Sequence, residues 1–147
     1  MQLEKFFQDW PVDNVAGALV GKRDASFGDT TRVFELASVT KLLSAYAVLL
    51  AVEEGAFSLD DDARPEGATI RHLLAHAGGV GFDSREPQKA PGERRIYSSA
   101  GYEILADIVE ESTGISFADY AREGVFEPLG MDSTEIYGSA GHGGRST

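Results

Sequence analysis

The 147-residue chain contains no cysteine, so it has no disulfide framework and no thiolate site. That absence also fits a reducing compartment. Positive charge is scarce: 13 Lys and Arg stand against 24 Asp and Glu, for a formal net charge of −11. No basic stripe interrupts that balance, which argues against nucleic acid and anionic membrane surfaces as partners. The acidic surplus lies at Glu53-Glu54, at Asp60-Asp61-Asp62 and along later helices, where it reads as a solvated face. Long apolar runs are lacking as well; residues 36–52 are too short and too interrupted to span a bilayer. The N-terminus, Met1-Gln2-Leu3-Glu4-Lys5, has neither the basic segment nor the apolar core of a secretory signal, so a cytoplasmic protein is expected. What is present suffices for a core: 42% of the residues are hydrophobic, in a length typical of one domain.

Leu3, Phe6, Phe7 and Trp10 fall on one face of a short helix that Pro11 closes. Residues 15–20 and 25–27 predict two strands around a turn at Gly21-Lys22-Arg23-Asp24, and Val33-Phe34-Glu35 a third. A buried helix is expected from about Ser38 to Glu54, with Gly55 as its stop. Thr69 can cap a short helix reaching His76, before Gly78-Gly79. Residues 81–95, with Pro87, Pro91 and Gly92, read as a long surface loop. Tyr102, Leu105, Ala106 and Val109 mark another amphipathic helix, stopped by Gly114. Ser116 and Asp119 form a capping-box variant for a helix that runs to Glu127 and breaks at Pro128.

Residues 138–147 are rich in glycine and lack a large hydrophobe, so they read as a structureless tail or a connection. The chain thus divides into 1–35 (helix and first strands), 36–137 (a helical region) and 138–147, all parts of one domain. Every predicted strand precedes Ser38. A lone hairpin is marginal in water, and its open edge invites pairing. The expectation is an incomplete domain, finished by a complementing C-terminal segment or by association with a second copy.

Chemistry concentrates in Ser38-Val39-Thr40-Lys41. Lys41 is the only charged residue between positions 36 and 52. A cation in the first turn of an apolar helix is disfavoured by the macrodipole, and burial favours the neutral amine, a base. Ser38 lies three residues earlier on the same face, within reach of that base. Its N–H, at the helix start, is available to an oxyanion. Taken alone, such a tetrapeptide is more often a capping serine followed by a snorkelling lysine.

A second cluster, Ile96-Tyr97-Ser98-Ser99-Ala100-Gly101-Tyr102, follows the long loop and opens a helix. Tyr97 could relay a proton from Ser38. Read by itself it is an ordinary half-buried tyrosine, with Ser98 or Ser99 as the helix cap. Together, in this order and about sixty residues apart, the two stretches resemble the serine β-lactamase and penicillin-binding protein superfamily. The likeness is strongest to its class C β-lactamase, D,D-peptidase and family VIII esterase branch. The 34–41 stretch FELASVTK is close to the family's lead-in. The 70–80 stretch IRHLLAHAGGV resembles its R-x-L-L-x-H-x-S-G-L block. Pro91-Gly92 before Tyr97, and Glu127-Pro128-Leu129-Gly130-Met131 after it, also match. The resemblance runs from about Val15 to Thr147.

The resemblance implies a β-lactamase/transpeptidase-like fold of mixed α and β type, with an antiparallel sheet flanked by helices plus a helical region. It implies that Ser38 is acylated, that Lys41 and Tyr97 handle its proton, and that Ser99 contacts substrate or Lys41. Ser99 stands where the family usually has asparagine, and a hydroxyl reaches less far. No credible K-T-G or H-x-G strand follows: His142-Gly143-Gly144 has the letters but lies in the glycine tract, too soon after Met131. The chain resembles the N-terminal half of the family domain. The implied function is acyl transfer to water from a small-molecule ester, β-lactam or amide. A non-catalytic binding or sensor module, and an inactive interaction fragment, are the alternatives. No cofactor or metal is implied. His72 and His76 have the spacing of a metal pair, yet no third ligand is well placed, and His76 is expected to satisfy backbone groups at its helix end.

Overall fold

The computed structural model describes residues 4–147. They form two compact units, one reaching to Phe34 and taking in Thr147, the other comprising Glu35–Ser146. In the first, helix α1 (Glu4–Phe7) precedes an antiparallel hairpin of β1 (Ala16–Leu19) and β2 (Ala25–Gly28). The Gly21 N–H donates to Asp24 Oδ1 at 3.0 Å and so fixes the turn. Phe7 stacks on Phe27 at 5.7 Å between ring centroids and meets Trp10 edge-on at 5.0 Å. Leu3, part of the predicted helix face, lies outside the described residues.

The second unit opens within β3 (Phe34–Ala37), at Glu35, and continues with α2 (Thr40–Glu53), α3 (Ile70–Leu74), α4 (Ala100–Thr113) and α5 (Phe117–Ala121). A π-helical turn (Arg122–Phe126) and two short strands, β4 (Glu135–Ile136) and β5 (Gly144–Ser146), complete it. Its core joins Ala47, Val48 and Ala51 of α2 to Ile70 and Leu73 of α3 and to Ile104, Leu105 and Val109 of α4. Small side chains on α2 let neighbouring helices approach closely, and Phe117, Val125 and Phe126 fill the remaining space. Ser116 caps α5 by accepting the Asp119 N–H at 3.2 Å, as its spacing predicts, and Gly114 ends α4 at φ 74°.

The capping box of α3 uses a histidine. Thr69 accepts the His72 N–H at 3.3 Å, and the Thr69 N–H donates to His72 Nδ1 at 3.2 Å. That nitrogen is therefore engaged in capping. The helix stops at Leu74, short of the predicted His76, which turns into the left-handed region at φ 60°.

Two further expectations need correction. Helix α2 is not buried all round. Val39, Leu42, Tyr46 and Leu49 are 54%, 72%, 56% and 47% exposed, while Ala47, Val48 and Ala51 are sealed. The spacing i, i+3, i+7, i+10 gathers the exposed set on one side. The glycine tract is not a structureless tail either. β5 is the central strand of a three-stranded sheet ordered β3-β5-β4, so not every strand precedes Ser38. Glu135 faces Arg145, and Ile136 faces Gly144. A Cβ on Gly143 would lie 2.0 Å from the Tyr137 carbonyl, and one on Gly144 would lie 2.6 Å from Thr40 Oγ1. The glycines thus permit close approach of backbone to backbone and to α2, which a count of hydrophobes cannot register.

Candidate active site

Ser38 sits in the tight turn that joins β3 to α2. Ala37, immediately before it, is held at φ 45° despite its Cβ, a conformation that costs about 1–2 kcal/mol. The Val39 N–H closes the turn onto the Leu36 carbonyl at 2.9 Å, and the Lys41 N–H bonds the Ser38 carbonyl at 3.2 Å. Ser38 is left exposed at the corner.

Lys41 is only 4% exposed. Its Nζ donates to Ser38 Oγ at 3.3 Å, to Ser99 Oγ at 3.0 Å and to the Gly141 carbonyl at 2.8 Å. Three ammonium donors thus meet three acceptors. Among the described residues no ion pair includes Lys41. The amine lies 4.7 Å from the Tyr97 ring centroid and 5.9 Å from that of Tyr102. It is balanced by neutral dipoles and ring faces, with no carboxylate, which is an expensive arrangement for a buried cation.

Tyr97 is 41% exposed, at the mouth of this cluster. Its phenol is held below the ordinary tyrosine value, chiefly by its interaction with the Ser38 hydroxyl. Partial burial opposes this, and the hydrogen bond and charge of Lys41 and the charge of Arg95 reinforce it. The two following serines divide their work. Ser98 Oγ accepts the Gly101 N–H at 2.8 Å and donates to the Gly81 carbonyl at 2.6 Å, so it caps α4. That leaves the buried Ser99 hydroxyl for Lys41. The structure therefore brings Ser38, Lys41, Tyr97 and Ser99 together, with Ser99 on the lysine.

The Gly141 carbonyl was not foreseen from the sequence, because a backbone atom supplies the contact. The 138–144 segment is pinned to α2 at two other points: Ser44 Oγ donates to the Ala140 carbonyl at 2.6 Å, and the Gly144 N–H donates to Thr40 Oγ1 at 2.8 Å. The available signal was paired: polar Thr40, Lys41 and Ser44 in an otherwise apolar helix, and a glycine tract able to approach them. His142 stands apart from this cluster, its Nδ1 3.0 Å from Ser139 Oγ.

A sequence model of the Beta-lactamase family matches residues 14–146. The chain belongs to that family. It is similar to penicillin-binding protein 4* of Bacillus subtilis, 30% identical over 141 residues, with 74% of this chain and 31% of that protein covered. Among solved structures it is similar to a β-lactamase from Mycobacterium bovis, at 47% identity and a TM-score of 0.94, covering 97% of this chain and 54% of that one. A penicillin-binding protein from Bacillus halodurans shares the fold at 21% identity and a TM-score of 0.88, with 98% of this chain and 69% of that one covered. The fold is thus β-lactamase/transpeptidase-like, as the sequence resemblance implied. This member of the Beta-lactamase family spans about a third of the Bacillus subtilis protein and about half of the Mycobacterium bovis chain.

Proposed function

We propose that this chain carries the acylation machinery of a serine hydrolase, acting on an ester, β-lactam or small amide. The observation that carries the reading is Lys41: a buried amine in none of the ion pairs among the described residues, held on the hydroxyl of an exposed serine and beside a tyrosine. Of its three contacts, the one to Ser38 is the longest, at 3.3 Å. With the proton on the oxygen and the amine neutral, that same pair is a nucleophile and its base.

Ser38 Oγ attacks the carbonyl carbon while its proton passes to Lys41 or Tyr97. The bond from that carbon to the leaving oxygen or nitrogen breaks, and the leaving atom takes up the proton through Tyr97. Water then attacks the ester on Ser38, releases the acid and restores the hydroxyl. The Ser38 N–H is one donor for the oxyanion, and losing a donor of this kind costs about 10²–10³ in rate. Ser99 and the Gly141 carbonyl hold the lysine in place.

The test is a time course with a chromogenic ester and a chromogenic cephalosporin. Continued product release, abolished in Ser38→Ala, supports a hydrolase. A single stoichiometric burst would instead support a binding or sensor module. No reaction with either substrate would support an interaction fragment.

A further inference from the structure

Tyr97 lies outside regular secondary structure, yet the backbone on either side of it is hydrogen-bonded, and His76 supplies an acceptor on each side. The His76 carbonyl accepts the Ile96 N–H at 2.8 Å. The His76 ring accepts the Ser98 N–H through Nδ1 at 3.1 Å. Between those two anchors the same ring packs on the Tyr97 ring, with centroids 4.6 Å apart and planes tilted by 45°. The residues before, at and after position 97 thus all contact His76, while Phe82 stacks on the Tyr97 ring at 5.9 Å and Ser98 Oγ also donates to the Gly81 carbonyl. His76 is 8% exposed and is itself locked by a left-handed backbone at φ 60°. The ring also meets Tyr102, with centroids 5.3 Å apart.

An Nδ1 that accepts an N–H carries no proton, so the ring proton sits on Nε2 and the imidazole is neutral. An imidazolium would set one N–H against another at the Ser98 amide. The groups around the ring point the same way. Lys41 of α2, Arg95 and Tyr97 of the segment before α4, and Tyr102 of α4 face it, and none is a carboxylate. Burial first, then the charges of Arg95 and Lys41, hold the imidazole below its ordinary value of 6.5.

We infer that His76 is the positioning residue of the Tyr97 proton relay: its neutral ring and its carbonyl template the Ile96–Ser98 backbone, so the relay is aligned only while His76 is unprotonated. The inference rests on the acyl-transfer reading for its catalytic meaning, but not for its geometry. Protonation of His76 releases the Ser98 amide and lets Tyr97 swing away from Ser38 and Lys41.

The experiment uses the 147-residue chain, with His76→Phe (ring kept, acceptor lost) and His76→Asn (acceptor oxygen kept). Nitrogen NMR reads the His76 tautomer, carbon NMR of the Tyr97 ring reads its phenol titration, and a fluorophosphonate reads labelling of Ser38 against pH. The expected wild-type result is an Nε2–H tautomer, and labelling that falls on acidification below pH 6.5 in step with the His76 titration. His76→Phe should lose about tenfold to a hundredfold in labelling, the scale of a misaligned reacting group, and should lose the acidic limb. His76→Asn should recover most of the rate, also without that limb. An Nδ1–H tautomer would overturn the inference, as would an acidic limb that survives in His76→Asn. If wild type does not label at all, the acyl-transfer reading fails. The positioning claim is then decided by the Tyr97 phenol, which should titrate closer to 10 in His76→Phe than in wild type or His76→Asn. An unchanged Tyr97 titration would overturn it.

Discussion

The Ser99 hydroxyl reaches Lys41 because its neighbour Ser98 satisfies the start of α4. Gly141 contributes only a carbonyl, so no side chain crowds the amine. A Cβ on Gly141 would come within 3.0 Å of Ser99 Cβ. The Tyr97 phenol carries a pH prediction. Because Ser38 and then Lys41 hold it below 10.0, its phenolate forms at lower pH than that of a free tyrosine. The rate of Ser38 labelling should therefore rise with pH and level off below pH 10, and Tyr97→Phe should abolish that rise. A rate that still climbs beyond pH 10 would remove Tyr97 from the proton path. That Ser38, Lys41 and Tyr97 lie together was legible in the sequence because they sit in two short runs. Ser99 was legible only through the family resemblance, and which serine caps α4 was not legible, because it depends on where the Gly81 carbonyl lies in space.

At the scale of elements, legibility followed hydrophobic pattern. The serine helix and α4 formed close to the expected bounds, whereas the helix expected to run from Ser116 to Glu127 is α5 only as far as Ala121 and continues as the π-helical turn Arg122–Phe126. β5 carries Gly-Arg-Ser, with no β-branched or aromatic residue, so no propensity announced it. It exists because β3 and β4 offer it partners and because its glycines tolerate close approach. Gly143→Ala tests this. The added methyl would meet the Tyr137 carbonyl and the Ser139 backbone, so the strand must shift or the chain must lose about 1–3 kcal/mol of stability. Chemical denaturation should show that loss, and hydrogen exchange should show the Gly144–Ser146 amides opening first. A variant as stable as wild type would mean that the tract is looser than described. The apolar stripe on α2 was misjudged for a related reason: composition gives the apolar content of a helix, not which of its faces is covered.

At the scale of the whole molecule, that stripe has consequences. Val39, Leu42, Tyr46 and Leu49 leave apolar surface open on the helix that carries the site. The chain matches about half of the Mycobacterium bovis β-lactamase. We propose that a second copy of the chain or a complementing segment covers this exposed apolar face. Sedimentation of the isolated chain should show species larger than a monomer, and Leu42→Glu with Leu49→Glu should return it to a monomer. A wild-type chain that stays monomeric at high concentration would exclude the second copy. The central claim, that Ser38 is the acylated nucleophile served by Lys41, has a more direct test in mass mapping after treatment with a fluorophosphonate. One adduct is expected per chain, on Ser38. Lys41→Ala should slow its formation at least about a hundredfold, and Lys41→Arg should not restore it, since arginine does not act as a base. An adduct on Ser98 or Ser99, or near-normal labelling of Ser38 in Lys41→Arg, would contradict it.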